Sequence, residues 1–449
     1  MCLKSHENGT SSVAAHPPFL TVETIAGRYA AIHGEYHAAA AFAASNRAWL
    51  RDSPVLDFVP LNKAQCSMVY PELLHGNRTA NNVTYLFTPD GEAARPGTLS
   101  RLCTGLAARF PILACRITND AGVYGFDLAD IHPPEDWPWP EHPAFDSEAA
   151  CSRYFLRADL SLFDDPLFRP FTCTIRGEPR TGVLLHHIVG DHVGQIELLR
   201  ALRGAPAASG DLAEPTEHTA DLEFILTNLA LADEHERDAD ACLPHWSDLK
   251  ARIAAARQSS GSDFPSAGAT VTWHRQRITG TSLMPAGAHR QALLLARFKR
   301  ALTAAFGVSQ PLVHALFSMR KSRRGTGFST YVLPLLLDHA HFGEHSDPAR
   351  ATGYLLATRA HGAIGAEAAL AAAGLRAHEV RVLFNLVDMR NDDDQGFSGL
   401  VDETVPSESC KSDLDLTLLC TRDAVDIVVT SRFEPARVAA FARAFVEDA

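Results

Sequence analysis

Apolar residues recur along this chain with two periods, and each period predicts one kind of element. Alternation of apolar and polar residues predicts strands, and apolar residues three or four positions apart predict helices. Strands are predicted at 82–87, 114–117, 123–128, 171–175, 182–186, 270–278, 331–337, 380–387, 413–420 and 425–431. Helices are predicted within 21–50, at 98–109, 219–233 and 292–306, and from Pro435 onward. Strand pairs interleaved with helices predict a fold of the α+β class.

Turn-forming residues divide this pattern into parts. The stretch 259–266 is rich in Ser, Gly and Pro and is the best candidate for a linker between two lobes. We therefore expect an N-terminal extension at 1–53, an N-terminal lobe at 54–258 and a C-terminal lobe at 259–449. The extension is expected to be partly disordered and then helical. Its helical part either packs on the core or docks a partner, and the sequence leaves both interpretations open.

Composition and charge exclude several classes of protein. The 449 residues are 46% hydrophobic and 21% charged, as in ordinary globular chains. The net charge of −12 argues against nucleic acid or an anionic membrane as the main partner. No apolar run is long enough to cross a membrane, and the N-terminus lacks the apolar core of a secretory signal. The nine cysteines are irregularly spaced, which favours reduced thiols in a cytoplasmic protein.

Two adjacent histidines stand where a predicted strand ends. His186 and His187 follow the apolar run 183–185, and Asp191 follows four residues after His187. Histidine titrates near neutral pH, so it can take a proton and return it. A carboxylate on the same loop can anchor the segment that aims the imidazole. The pattern therefore indicates proton-transfer chemistry.

Three other interpretations compete with that one. A histidine pair on an apolar strand can simply be packed, with both nitrogens hydrogen-bonded. Asp191 and His192 beside His186 and His187 offer four metal ligands, but adjacent strand residues point to opposite faces and no HExxH or CxxC pattern accompanies them. We expect no metal. A serine nucleophile is disfavoured because no G-x-S-x-G elbow occurs in the chain.

The run 186–191 resembles the HHxxxDG signature of the superfamily of condensation domains and chloramphenicol-acetyltransferase-like acyltransferases. Further segments resemble motifs of the same superfamily in the same order. They are PLNKAQ at 60–65, RFPIL at 109–113, DPLF at 165–168, FSMR at 317–320 with GFSTYVLP at 327–334, and SDLDLT at 412–417. The ordered set covers roughly residues 55 to 445 and is more specific than any single motif.

The resemblance implies a fold and roles for individual residues. It implies two chloramphenicol-acetyltransferase-like lobes that form a V-shaped pseudo-dimer with a central tunnel. His187 is then the base, His186 has a structural role, and Asp191 turns away from the substrate to form a salt bridge with Arg320. The oxyanion would be held by backbone N–H groups beside the motif, where Gly190 allows close approach.

Three departures from the family pattern lie near the expected substrate entrances. His192 replaces the glycine of HHxxxDG, and Tyr331 replaces the asparagine of the late "FVNT" motif. Ser67 stands where carrier-dependent condensation domains usually have arginine. We place His192, Tyr331 and Gln65 along the substrate tunnel.

The resemblance predicts a free-standing condensation-type acyltransferase of secondary metabolism, such as nonribosomal peptide or polyketide biosynthesis. It would move an acyl group from a thioester to an amine or hydroxyl acceptor, forming an amide or ester. The donor would be a phosphopantetheine-linked thioester on an acyl or peptidyl carrier protein or on coenzyme A, with no tightly bound cofactor. We expect a monomer. The alternative is a non-catalytic condensation-like module that binds a carrier protein and recruits partners.

A basic cluster at 320–324 is unusual in this acidic chain. It contains Arg320, Lys321, Arg323 and Arg324. It is either a solvated loop or a surface that attracts an acidic carrier protein or the phosphates of coenzyme A.

Overall fold

The computed structural model describes most of the chain from residue 58 onward. The described residues are 58–79, 81–87, 99, 103–107, 110–120, 123–204, 240–258, 263–279, 288–320, 327–388, 412–420 and 424–447. The predicted N-terminal extension and the helix predicted at 219–233 lie outside them. Among the described residues, no helix is long and apolar enough to cross a membrane.

Thirteen strands and eight helices with defined bounds follow one another along the described residues. The strands are β1 Phe58–Pro60, β2 Asn82–Phe87, β3 Cys115–Asp120, β4 Val123–Ile131, β5 Ala144–Phe145, β6 Phe168–Ile175, β7 Glu178–His186, β8 Thr272–Thr279, β9 Leu312–Ser318, β10 Thr330–Leu336, β11 Val382–Asp388, β12 Leu414–Cys420 and β13 Ala424–Ser431. The helices are α1 Lys63–His75, α2 Glu148–Leu156, α3 His192–Gly204, α4 Arg290–Phe306, α5 His339–Phe342, α6 Pro348–His361, α7 Ala366–Ala372 and α8 Pro435–Glu447. Residues 240–258 are also helical.

The strands form three sheets, two of them before residue 204 and one after residue 270. The first has the order β1-β4-β3, and the second has the order β2-β7-β6-β5. The third has six strands in the order β10-β9-β11-β12-β13-β8. In this sheet β11 runs parallel to both β9 and β12, while the other neighbours are antiparallel. This mixed architecture confirms the predicted combination of helices and strands.

A tight hairpin turn carries the histidine motif to its position. Arg176 and Gly177 join β6 to β7, and both have positive φ, of 53° and 84°. Two consecutive left-handed residues are typical of the two-residue turns whose twist matches that of the flanking strands. Both strands were predicted, but β7 begins four residues earlier than expected and includes Pro179, which pairs with Thr174. The second strand then continues, fully buried from 181 to 186, to His186.

Helix α1 begins at a complete capping box. The Asn62 side chain accepts from Gln65 N at 3.0 Å, and the Gln65 side chain accepts from Asn62 N at 3.1 Å. The helix ends at Gly76, which has a φ of 61° and donates its N–H to Glu72 O. These reciprocal bonds satisfy two of the backbone donors that a helix start leaves without partners.

The helical residues 240–258 are joined by side-chain bonds to elements of the third-sheet region. Trp246 Nε1 donates to His361 O at 3.0 Å, and Arg252 lies 2.7 Å from the Asp338 carboxylate. Trp246 is fully buried. These bonds show that the segment packs with α6 and with the start of α5. The boundary predicted after residue 258 stays a prediction.

Sequence patterns located most of the described strands but missed several elements. The helix predicted at 292–306 is α4, which begins two residues earlier, and the helix predicted from Pro435 is α8. The elements that were not predicted are strands β1, β5 and β9, helices α1, α2, α5, α6 and α7, and the helical residues 240–258. Among the described cysteines, Cys103 and Cys173 are buried and Cys66 is partly exposed.

Candidate active site

His186 is part of the packed end of β7. Its side chain is 3% exposed, and its Nδ1 accepts from Ile188 N at 3.2 Å. Its own backbone N–H donates to Leu167 O at 2.9 Å. These contacts hold the turn that follows β7. They support the structural role predicted for His186.

His187 begins a short 3-10 turn, His187–Val189, and its side chain is half-buried. Its Nδ1 lies 2.7 Å from Gly190 O. A carbonyl oxygen only accepts, so a contact this short places the proton on Nδ1 and the lone pair of the neutral ring on Nε2. The edge of the ring meets Phe328, with ring centroids 4.9 Å apart. His187 therefore has the tautomer that a base acting through Nε2 needs.

The Asp191 carboxylate, just before α3, faces Arg320, which follows β9 of the third sheet. Arg320 Nε lies 2.8 Å from both carboxylate oxygens, and its Nη2 lies 2.8 Å from Oδ1. Two backbone donors complete the site: Gly194 N and Ser329 N each donate to the carboxylate at 3.2 Å. The structure thus brings together the two residues of the predicted salt bridge, and the carboxylate is fully engaged by these donors.

Backbone bonds join the motif to the segment before β10. Gly190 and Gly327 form an isolated parallel bridge, in which Gly327 N donates to Val189 O and Asp191 N donates to Gly327 O. Gly194 allows this approach, because a Cβ there would lie 3.1 Å from Arg320 Nη2 and 3.2 Å from Gly327 O. Gly190 N itself donates to His187 O at 3.2 Å. The predicted oxyanion donors, backbone N–H groups beside the motif, stay a prediction.

Asn62 and Gln65 connect the start of α1 to both sides of this junction. Asn62 Nδ2 donates to Phe328 O at 2.8 Å, and Gln65 Nε2 donates to Ile188 O at 3.2 Å. Gln65 is fully buried. Its predicted place along a tunnel stays a prediction, whereas its contact with the motif backbone is observed.

A buried hydrogen-bond chain ends at the Gly190 carbonyl, the partner of His187. Tyr85, on β2, donates through its hydroxyl to Gln195 Oε1, and Gln195 Nε2 lies 2.9 Å from Gly190 O and 3.0 Å from His187 Nδ1. Tyr85 is 7% exposed and Gln195 is 4% exposed. Sequence reasoning missed both residues. The available signal was a polar residue on the apolar face of a helix directly after the motif.

His192 and Tyr331 occupy different environments. His192 is the first residue of α3 and is half-buried. Tyr331 is 2% exposed and lies opposite Phe317 in the β9–β10 pair. Their predicted roles in substrate selection stay predictions. Of the basic cluster, Arg320 pairs with Asp191, and residues 321–326 lie outside the described part of the chain.

Comparisons with known proteins agree with this fold. No protein-family model matches the chain, and no curated protein matches it significantly. Among solved structures, the complex of the X-domain and OxyB from teicoplanin biosynthesis matches with a TM-score of 0.63 and 18% identity, covering 86% of this chain and 92% of that chain. The starter condensation domain of rhizomide synthetase, in complex with C8-CoA, matches with a TM-score of 0.61 and 16% identity, covering 87% and 94%.

A third solved structure concerns condensation-domain-mediated chain release from the enacyloxin polyketide synthase. It matches with a TM-score of 0.56 and 15% identity, covering 94% of this chain and 89% of that chain. The chain therefore has the fold of condensation domains. At these identities the likeness extends to the fold, and activity has to be argued from the site.

Proposed function

We propose that this chain is a condensation-type acyltransferase that transfers an acyl group from a thioester to an amine or hydroxyl acceptor. The observation that carries the proposal is the His187 geometry. Its Nδ1 is held 2.7 Å from Gly190 O, at a junction where backbone from both parts of the chain meets. Such an imidazole can take a proton through Nε2.

In the proposed reaction, His187 Nε2 removes the proton from the acceptor as its nitrogen or oxygen attacks the thioester carbonyl. A tetrahedral oxyanion forms, and its collapse breaks the C–S bond. The thiolate then takes the proton from the imidazolium, so that the histidine ends neutral. General base catalysis of this kind contributes about 10²- to 10⁴-fold in rate. Asp191 takes no proton in this scheme, because Arg320 and two backbone donors already occupy its carboxylate.

The substrates are proposed by class. We infer a phosphopantetheine-linked donor, on a carrier protein or on coenzyme A, reaching the junction through a tunnel between two lobes. The fold likeness supports this class, since one of the matched structures is a starter condensation domain in complex with C8-CoA. The acceptor is a small molecule with an amine or an alcohol.

Intact-mass spectrometry tests the proposal. A panel of acylated carrier proteins and acyl-CoAs is incubated with the protein and a panel of amines and alcohols. Acyl loss from a donor, matched by an amide or ester product and dependent on the protein, supports the enzyme. Stable binding of a loaded carrier with no transfer from any donor contradicts the proposal and favours the recruiting module. The likeness to the structure that contains the X-domain and OxyB supports that module as the alternative.

A further inference from the structure

Two buried polar residues outside the histidine motif form a chain of hydrogen bonds that ends at the Gly190 carbonyl. Tyr85 lies on β2 and Gln195 on α3, and no apolar packing role calls for a hydroxyl or an amide at either position. Both are more than nine-tenths buried. Buried polar groups are almost always hydrogen-bonded, and here each of them is bonded to the next.

The chemistry of each partner fixes the direction of the bonds. The Gly190 carbonyl only accepts, so the Gln195 atom 2.9 Å from it must be the amide nitrogen. The amide oxygen then faces Tyr85, whose hydroxyl donates to it. Burial raises the pKa of Tyr85, so the phenol keeps its proton at every ordinary pH. The amide therefore has one orientation only.

Gly190 O then accepts two bonds, one from Gln195 Nε2 and one from His187 Nδ1, which is the full capacity of a carbonyl oxygen. Gln195 Nε2 also lies 3.0 Å from His187 Nδ1. Both atoms carry hydrogen, so this is a contact between two donors of the same carbonyl and not a hydrogen bond. The amide that holds the carbonyl and the imidazole that the carbonyl holds therefore lie next to each other. A ring with a fixed partner at Nδ1 presents Nε2 in one direction.

We infer that Tyr85 and Gln195 are positioning residues for the acyl transfer: through the Gly190 carbonyl they hold His187 in its Nδ1–H tautomer, with Nε2 aimed at the acceptor. The inference rests on the proposed function for its kinetic consequence. The tautomer itself is a property of the protein alone, so it can be measured even if no acyl transfer is found.

The first measurement is nitrogen NMR of ¹⁵N-histidine-labelled protein without substrate. His187 is assigned by the signals that disappear in His187→Ala. The expected result is a neutral ring with its proton on Nδ1. Protonation on Nε2 would overturn the inference, whatever the kinetics show.

The second measurement uses Gln195→Met, Tyr85→Phe and the double variant. Each single change strands a buried polar partner and can destabilise the fold, whereas the double change removes both partners together. The double variant is therefore expected to fold like the wild type and still lose kcat by about tenfold, with KM unchanged, because the loss follows from an imidazole held less firmly. Its NMR signals should show a mixture of tautomers. Wild-type kcat and an unaltered tautomer in the double variant would refute the positioning role.

A third variant, Gln195→Glu, gives a readout that packing alone would not move. Its carboxylate would lie beside His187 Nδ1 and favour the imidazolium. The acidic limb of the kcat profile should then move to higher pH by about one unit. Thr84→Val is the matched control for Tyr85→Phe. It removes a hydroxyl from the neighbouring position of β2, which points to the other face of the strand. A kcat profile identical to that of the wild type in Gln195→Glu counts against the inference.

Discussion

Arg320 holds Asp191 in a buried ion pair between the part of the chain before residue 204 and the third sheet. Their side chains are only 7% and 4% exposed, and Arg320 Nε lies 2.8 Å from both oxygens of Asp191. The same carboxylate accepts from the backbone of Gly194 and Ser329. The loop that carries His187 is therefore fixed to the end of β9 by an ion pair that does not involve the substrate.

Removing one partner of this pair should destabilise the fold. Asp191→Asn and Arg320→Ala each leave a buried group without its counter-charge, which costs about 3–5 kcal/mol for a buried pair. The double variant should cost less than the sum, because the residues interact directly. Urea unfolding at neutral pH measures all four free energies of unfolding.

An exposed pair provides the control for this cycle. Arg437 and Glu434 lie 3.8 Å apart with exposed side chains, and Arg437→Ala should cost under about 1 kcal/mol. Strictly additive losses for Asp191 and Arg320 would show that the two residues are not coupled.

His192 lies at the start of α3, directly after Asp191, where the resembling signature has glycine. We expect His192→Gly to change the specificity constants for donors or acceptors more than it changes the free energy of unfolding. An imidazole there occupies space that glycine would leave open, and glycine adds backbone freedom to the loop. The measurement is kcat/KM of the variant and of the wild type for each member of the substrate panel. The same variant-to-wild-type ratio for every substrate would show that the imidazole has no part in specificity.

His314, on β9, should make the stability of the fold depend on pH. Burial lowers its pKa from 6.5 to about 4 in the folded protein. Between these values the unfolded chain holds the proton and the folded chain does not, so acidification favours unfolding. From pH 7 to pH 5 this group should cost about 2 kcal/mol.

His314→Gln tests this dependence, because glutamine keeps a polar side chain of similar size and does not titrate. Urea unfolding at pH 7 and pH 5 should show a smaller loss in the variant than in the wild type. Burial also lowers the pKa of His245, to about 4, so some pH dependence should remain. A loss as large in the variant as in the wild type would mean that His314 is not the group responsible.

The sequence predicted the position of the motif better than its surroundings. Strand β7 could be found because apolar residues lead without interruption to His186, and α8 because Pro435 marks its start. Strand β9 was missed, where His314 interrupts an apolar run. His314 lies on the half-buried face of the strand, and its neighbours Val313 and Ala315 lie on the fully buried face.

The candidate site was predicted only as far as motifs carry information. The pairing of Asp191 with Arg320 came from the resemblance, since no local pattern relates residues 129 positions apart. Tyr85 and Gln195 are 110 positions apart and meet only because β2 pairs with β7 in front of α3. A one-dimensional pattern shows each of them as a single polar residue in an apolar element, which is an ambiguous signal.

The central claim is that His187 is the base of an acyl transfer. The most direct test is the kcat of His187→Ala with a donor and acceptor that the wild type joins, measured together with the melting temperature. The control is His345→Ala, which removes an exposed imidazole from the segment between α5 and α6. We expect His187→Ala to lose activity by about 10²-fold or more while its melting temperature stays within a few degrees of the wild type, and the control to keep both. Near-normal turnover in folded His187→Ala would contradict the account.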